Sequence, residues 1–394
     1  MSIRHRRKEA VRFKHVKNTA IVSTPTALED LAGRLHGAPR VAVDTEAASF
    51  HRYVDRVYLV QVSTDSETVL IDPLAVHDLA PLGQVLGDPN VEIVFHDADY
   101  DLRVLDRDYG FRATRVFDTR VAAQLAGEAA IGLGALLERH FRIRLDKKYQ
   151  RADWSLRPLT EGMIAYAAAD TAHLPALRDL LEERLRALNR LHWAEEEFLR
   201  LEGLRWTQPK DPEPDAFLRM KGARKVPRRH LGVLRALYEW RESVARASDR
   251  PPFRIVGNEI ILALAIACPR NREEMRTVRG IPAKIAARYG DELWSAIADG
   301  LRIPDSELPT FPRTKRPPPD AGYERRLERL KAARDAAAGS IPLDPGLVCP
   351  NGTLQAVARA EPRRAEDLDA VEGLRRWQRE VIGDAVLLEA AGTA

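Results

Sequence analysis

Cysteine is nearly absent from this chain. Cys268 and Cys349 are the only two among 394 residues. They are far apart and have no partners at zinc-site spacing, which excludes a disulfide framework and a structural zinc. Both read as small buried hydrophobes. Long apolar runs are missing as well. No stretch reaches membrane-spanning length, and the basic start of the chain lacks the apolar core of a secretory signal. No membrane partner is expected, and the cytosol is the expected compartment. Nor does one sign of charge dominate. A formal net charge of +4, with 45% hydrophobic and 30% charged residues, is an ordinary globular balance that does not by itself prove a nucleic-acid partner.

The distribution of charge says more than its sum. The first seventeen residues carry seven Lys or Arg against one Glu, and the stretch 313–334 is again rich in Arg and Lys. Basic arms of this kind attract phosphate backbones, although either one alone reads equally well as a solvated tail. The length suggests two or three domains. Their expected bounds are a basic arm over 1–19, an α/β domain over 20–203, a linker over 204–225, a helical module over 226–303, a Pro-rich basic linker over 304–322, and a second helical module over 323–390.

Within the first domain, β-branched runs at 41–44, 57–63 and 68–71 predict a strand followed by an antiparallel hairpin. Helical patterns near 78–86 and 102–109 then alternate with strands at 91–95 and 115–117, so the sheet is mixed. Beyond residue 118 the pattern is helical, through 121–125, 133–141 and 160–188. The two later modules are a repeat. Asn258 and Asn351 stand 93 residues apart, and the same offset pairs Pro269 with Pro362, Val278 with Val371, and Gly280 with Gly373. In each copy a short apolar turn ends in glycine, VRGI and VEGL, before another helix. That shape suits backbone amides meeting a phosphate, or a plain helix stop followed by a start.

Three short segments carry the acids that point to chemistry. Asp44 and Glu46, in VAVDTEA, are two apart at the end of a strand and so share a face. Tyr166 and Asp170, in YAAAD, are four apart on a helix, about one turn from each other. Asp101, in FHDADYDL, follows a strand, where open α/β sheets place their ligands. Each piece alone has a plain reading: a solvated strand end, a helix cap for which Asp97 and Asp99 compete, a surface tyrosine. Their co-occurrence in order is what points to a site. Clustered carboxylates without a His or Cys cage suit Mg²⁺ or Mn²⁺. Two such ions can activate a water and stabilise the leaving oxygen in phosphodiester hydrolysis. Asp44 would bridge both ions, Glu46 and Asp170 would complete one site, and Asp101 would hold the second. Tyr166, a phenol with a pKa near 10, suits orienting the water better than deprotonating it.

Residues 23–190 resemble the DEDD exonuclease superfamily in its tyrosine subtype, and within it the bacterial ribonuclease D family. The resemblance extends to LVQVS at 59–63, His96 five residues before Asp101, FDTR at 117–120, and DKKYQRADWSLRPLTEGMIAYAAAD at 146–170. It implies a ribonuclease H-like fold, with metal binding by Asp44, Glu46, Asp101 and Asp170 and water positioning by Tyr166. His96, Gln61 and Arg157 are the expected substrate contacts within the matching segments; His96 and Arg157 suit stabilising a turn equally well.

The repeated modules resemble HRDC domains, which bind nucleic acid. The second copy departs from the first, with Gln355 opposite Leu262 and acids around 366–369. Its expected part is therefore to close the architecture around the active site. The implied activity is 3′→5′ exonucleolytic hydrolysis of RNA, on tRNA precursors or other structured 3′ ends, by a monomer using two divalent ions. A DNA exonuclease of the repair or proofreading type and a non-catalytic RNA scaffold are the rivals. Truncation after Gly203 is expected to weaken RNA affinity while leaving short-oligomer cleavage intact.

Overall fold

The computed structural model describes residues 19–208, 215–312 and 320–391. The basic arm, but for its last residue, lies outside the described residues, as do residues 209–214 and 313–319 of the linkers. The described residues form two compact units. The first comprises 19–46, 57–206 and 320–391, and the second comprises 47–56, 207–208 and 215–312. The loop after Glu46 is thus grouped with the first helical module, and the second module with the sheet.

The sheet of the first unit has six strands, β1 (Ala20–Val22), β2 (Arg40–Ala47), β3 (Val57–Ser63), β4 (Thr68–Ile71), β5 (Glu92–Phe95) and β6 (Val116–Asp118), in the order β1-β4-β3-β2-β5-β6. β3 and β4 pair antiparallel, whereas β1 with β4, β2 with β5, and β5 with β6 are parallel. The mixed sheet and the hairpin agree with the sequence reading. Every residue of β3 is buried, as expected of a central strand covered on both faces.

Helices α1 (Pro25–His36), α2 (Pro73–Val76), α3 (Ala80–Leu86) and α4 (Asp99–Tyr109) precede α5 (Thr119–Leu125), α6 (Leu133–Phe141), α7 (Glu161–Ala172), α8 (Leu174–Ala187) and α9 (Leu191–Glu202). Local chemistry starts and stops them. Thr24 and Thr160 cap α1 and α7 by accepting from the amides of Ala27 and Met163, and Gly110 closes α4 in the left-handed region at φ 69°. The run 160–188, read as one helix, is broken at His173, with Pro175 in the first turn of α8.

The alternation of β2 sends its side chains into two layers. Val41 and Val43 pack with Leu102, Val104 and Leu105 of α4. Ala42 packs on the opposite face with residues of α5, α8 and α9. This second core continues without a break into the second helical module, through Leu330, Val348, Leu354, Val357 and Trp377.

The repeat predicted at an offset of 93 is kept element by element. The first module has α10 (Leu231–Ala247), α11 (Pro252–Ile255), α12 (Asn258–Ala267), α13 (Arg272–Thr277) and α14 (Ala283–Arg302). The second has α15 (Ala321–Ser340), α16 (Pro345–Val348), α17 (Asn351–Ala360), a 3₁₀ turn at Ala365–Ala370, and α18 (Arg376–Ala391). Each module is pinned by one buried arginine. Arg241 donates to the Val256 carbonyl and Asn258 Oδ1 at 3.3 and 2.6 Å. Arg334 donates to the Cys349 carbonyl and Asn351 Oδ1 at 3.1 and 2.9 Å. Cys349 is buried as expected, but Cys268 is only half-buried.

Candidate active site

Asp44 and Glu46 lie on the α7 side of β2, and Thr45, between them, points into the layer of α4. One carboxylate oxygen each from Asp44, Glu46 and Asp170 lies within 4.8 Å of the others. Asp170 reaches them from α7, whose seat on the sheet is fixed by a buried hydroxyl chain: Thr171 Oγ1 to Ser63 Oγ at 2.7 Å, and Ser63 Oγ to Thr68 Oγ1 at 2.8 Å.

Asp101 arrives from the opposite layer. It is the third residue of α4, and its Oδ1 accepts from the Thr45 amide at 3.1 Å and the Thr45 hydroxyl at 2.5 Å. It is therefore held beside the three-acid cluster, with that oxygen committed to Thr45.

The electrostatics of this group call for positive charge. Burial, then the neighbouring Asp170, raises the Asp44 carboxyl well above the ordinary range. Burial, then Asp44, Asp170 and Asp101, does the same to Glu46, and burial, then Asp44, raises Asp101. Burial pushes Asp170 up to about 7, against the lowering effect of its hydrogen bond with Tyr166. No Lys or Arg side chain pairs with any of the four among the described residues. Carboxylate oxygens this close and unneutralised are a donor set for hard divalent cations. The residues present fit such ions.

Tyr166 packs against Tyr149 and Trp154, with ring centroids 6.2 and 6.0 Å away. Burial, then Asp170, Glu46 and Asp44, raises its phenol above the ordinary value, so near neutral pH it keeps its proton and is a hydrogen-bond donor. The surrounding segment 146–170 supplies the walls of this slot. Trp154 is 1% exposed.

The expected substrate contacts fare differently. Gln61 is 0% exposed and, two residues before Ser63, lies on the face that α7 covers; it is not accessible to a substrate. Both of its amide atoms lack a partner among the described residues. Arg157 is a clamp. It donates to both oxygens of Asp72 at 2.6 and 2.7 Å and to the carbonyls of Tyr58, Trp154 and Leu156. Its guanidinium is spent on tying segment 146–160 to the sheet, and the substrate-contact reading is corrected for both residues.

His96 is half-buried, and its Nδ1 lies 2.8 Å from Thr119 Oγ1. Thr119 gives its own proton to the Phe95 carbonyl, so Nδ1 carries the ring proton and Nε2 is left as an acceptor. Burial lowers the ring to about 4, so His96 is neutral at pH 7.

Sequence reasoning passed over a further anchor. The Asp118 carboxylate, 1% exposed, accepts from four amides: Asp97 at 3.1 Å, Ala98 at 2.7 Å, Arg120 at 2.7 Å and Val121 at 3.1 Å. It caps α5 and holds the turn that launches α4 with Asp101. The FDTR match marked this place; nothing in the spacing announced the role. Thr45 was likewise in view within DTE, but its partner is 56 residues away.

Comparison with known proteins follows the same lines. The profile of a family described as 3′-5′ exonuclease matches residues 19–186, and that of the HRDC domain matches residues 230–297 and 324–389. Ribonuclease D of Gluconacetobacter diazotrophicus is 35% identical over 369 residues, covering 92% of this chain and 91% of that protein. A crystal structure of a protein from Bifidobacterium adolescentis superposes with a TM-score of 0.80 at 27% identity, covering 95% of this chain and 97% of that one. Escherichia coli RNase D, described as an exoribonuclease involved in structured RNA processing, has the same fold, with a TM-score of 0.69 at 24% identity, covering 96% of this chain and 100% of that one.

Proposed function

The chain belongs to the ribonuclease D family and is a 3′→5′ exoribonuclease; from that premise we propose that Asp44, Glu46, Asp101 and Asp170 hold two divalent cations, Mg²⁺ or Mn²⁺, and that structured RNA 3′ ends, tRNA precursors among them, are its substrates. The observation that carries the site is the unneutralised carboxylate cluster of Asp44, Glu46 and Asp170, with Asp101 held alongside by Thr45. Bound there, the cations supply a water of lowered pKa and a counter-charge for the leaving oxygen.

The chain's own residues do the rest. Asp44, on the face it shares with Glu46, would serve both positions, with Glu46 and Asp170 completing one and Asp101 the other. Tyr166, protonated and hydrogen-bonded to Asp170, would hold its phenol toward the attacking water as an orienting group. Hydrolysis at the terminal phosphodiester would then release one 5′-mononucleotide per turnover. The structured-RNA assignment is supported by the description of the E. coli enzyme.

The test is a time course on 5′-labelled single-stranded RNA and the matching DNA, with Mg²⁺, Mn²⁺ or EDTA, resolved on a sequencing gel. A ladder that shortens by single nucleotides from the 3′ end, needs metal and runs faster on RNA is the expected result. Asp44→Asn should slow it by at least about a hundredfold while RNA binding survives. Unchanged turnover in that variant would sink the metal-site assignment.

A further inference from the structure

The first helical module has an open pocket that the reaction at the carboxylates does not use. It encloses about 690 Å³ between Phe253, Gly257, Glu259, Ile260, Arg279 and Gly280. Phe253 is 56% exposed and meets Phe50, 42% exposed, edge-on, with ring centroids 6.3 Å apart. Two large rings left this open form an apolar patch of the kind that marks a binding surface. Arg279 is exposed and makes no ion pair among the described residues, and Gly280, at φ 96°, leaves the wall of the turn bare.

The second module is an internal control, because it has the same elements without these features. At the offset of 93, Gly346 stands for Phe253, Pro350 for Gly257 and Glu372 for Arg279. Over residues 226–303 there are 14 Lys and Arg against nine Asp and Glu; over 323–390 there are 11 against 12. The second module also shows what the turn before its last helix can hold. The amides of Arg376 and Trp377, at the start of α18, donate to the Glu196 carboxylate at 2.8 and 3.1 Å. Their counterparts at the start of α14, Ala283 and Lys284, are exposed and have no side-chain cap. One copy spends this anion-holding turn on a carboxylate of α9. In the other it stands open, with Arg279 and Lys284 beside it.

We propose that the first module's pocket binds one nucleotide of single-stranded RNA, with the base stacked on Phe253 and the phosphate drawn to Arg279 and the start of α14. Aromatic faces take any base, and cations track the backbone. Glu259, on the rim, repels phosphate and accepts from an exocyclic amine, so the base lies on its side of the pocket. The inference rests on the exoribonuclease reading for the class of ligand, and it assigns the grip to the first copy alone.

The test uses the full chain carrying Asp44→Asn, so that RNA is not consumed. It is titrated with a 12-nucleotide RNA, with the same strand bearing 2-aminopurine, and with abasic versions. Phe253→Ala should weaken the intact strand by roughly five- to a hundredfold and the abasic strand far less, and Phe253→Trp should restore binding. Arg279→Glu, which copies the second module, should weaken both strands and lower the salt dependence. The 2-aminopurine signal should be quenched only when Phe253 or Trp is present. Equal affinity of Phe253→Ala and its parent, or equal loss on intact and abasic strands, would overturn the proposal. Failure of the Asp44-bearing chain to cleave RNA would instead strike the exoribonuclease reading, with the titration still able to decide whether the pocket binds.

Discussion

Four carboxyl groups at the end of one strand oppose each other's ionisation, and that fixes how the metal-free protein responds to pH. Asp170 titrates near 4 when unfolded and at about 7 in the fold; Asp44, Glu46 and Asp101 are raised in the same sense. Between those values the folded state binds more protons than the unfolded one. The stability that Asp170 confers is therefore full below about pH 4 and is lost as the pH rises through about 7, and the other three act in the same direction. Cations bind the ionised forms and reverse the penalty. Melting curves in EDTA should fall between pH 5.5 and 8, and the rise in Tm on adding Mg²⁺ or Mn²⁺ should widen over the same range; a metal shift that does not change with pH would contradict this.

Thr45 gives a sharper residue-scale prediction, because it holds Asp101 through its amide and its hydroxyl. Thr45→Val keeps the shape and removes the hydroxyl donor. It should cost about ten- to a hundredfold in metal affinity or activity, the usual loss when a ligand's orienting partner is removed, and Thr45→Ser should recover most of it. Isothermal titration with Mn²⁺ alongside turnover would read both; a valine variant with wild-type values would leave Thr45 with a packing role only.

At the scale of elements, the turn from β5 to α4 depends on Asp118. Four amides from two segments converge on its carboxylate; they lower its pKa, but burial outweighs them and leaves it raised. Asp118→Ala would leave buried donors without a partner and α5 without a cap. A loss of about 2–4 kcal/mol is expected, measurable by urea denaturation, with activity falling as Asp101 loses its support; a loss under about 1 kcal/mol would show that water replaces the carboxylate.

The same elements show where sequence suffices. The period of two in VAVDTEA and the spacing of four in YAAAD are local, so the facing of Asp44 with Glu46 and of Tyr166 with Asp170 could be read directly. The repeat was legible for a related reason, since one offset pairs Asn258 with Asn351, Pro269 with Pro362 and Gly280 with Gly373. Gln61 was misread, and Arg157 was left open between a substrate contact and a structural one, because their roles depend on distant partners: α7 closes over one, and Asp72, 85 residues away, claims the other. Burial of that kind is a property of the assembled layers and leaves no periodic trace.

At the scale of the molecule, the two modules have diverged from one plan in what their last helix does. In the second, the start of α18 is built into the core it shares with the sheet. Trp377 stacks on Trp193 at 5.3 Å, its Nε1 donates to Glu197, and Glu380 accepts from Trp193 and His192. Gly127, at φ 76°, allows the Pro342 carbonyl an approach that a Cβ would block at 2.9 Å. The expectation that truncation after Gly203 spares a working catalytic fragment is therefore revised, since that cut removes a large part of a continuous core. Trp377→Ala should destabilise the unit that contains the sheet by about 3–5 kcal/mol, as large-to-small changes at buried tryptophans do. Lys284, at the same place in the first module, is exposed, and its alanine variant should lie within about 0.5 kcal/mol of the parent. Comparable losses from the two substitutions, measured by thermal or urea unfolding of the full chain, would mean that the modules carry equal structural weight and that α18 is not part of the catalytic unit's core.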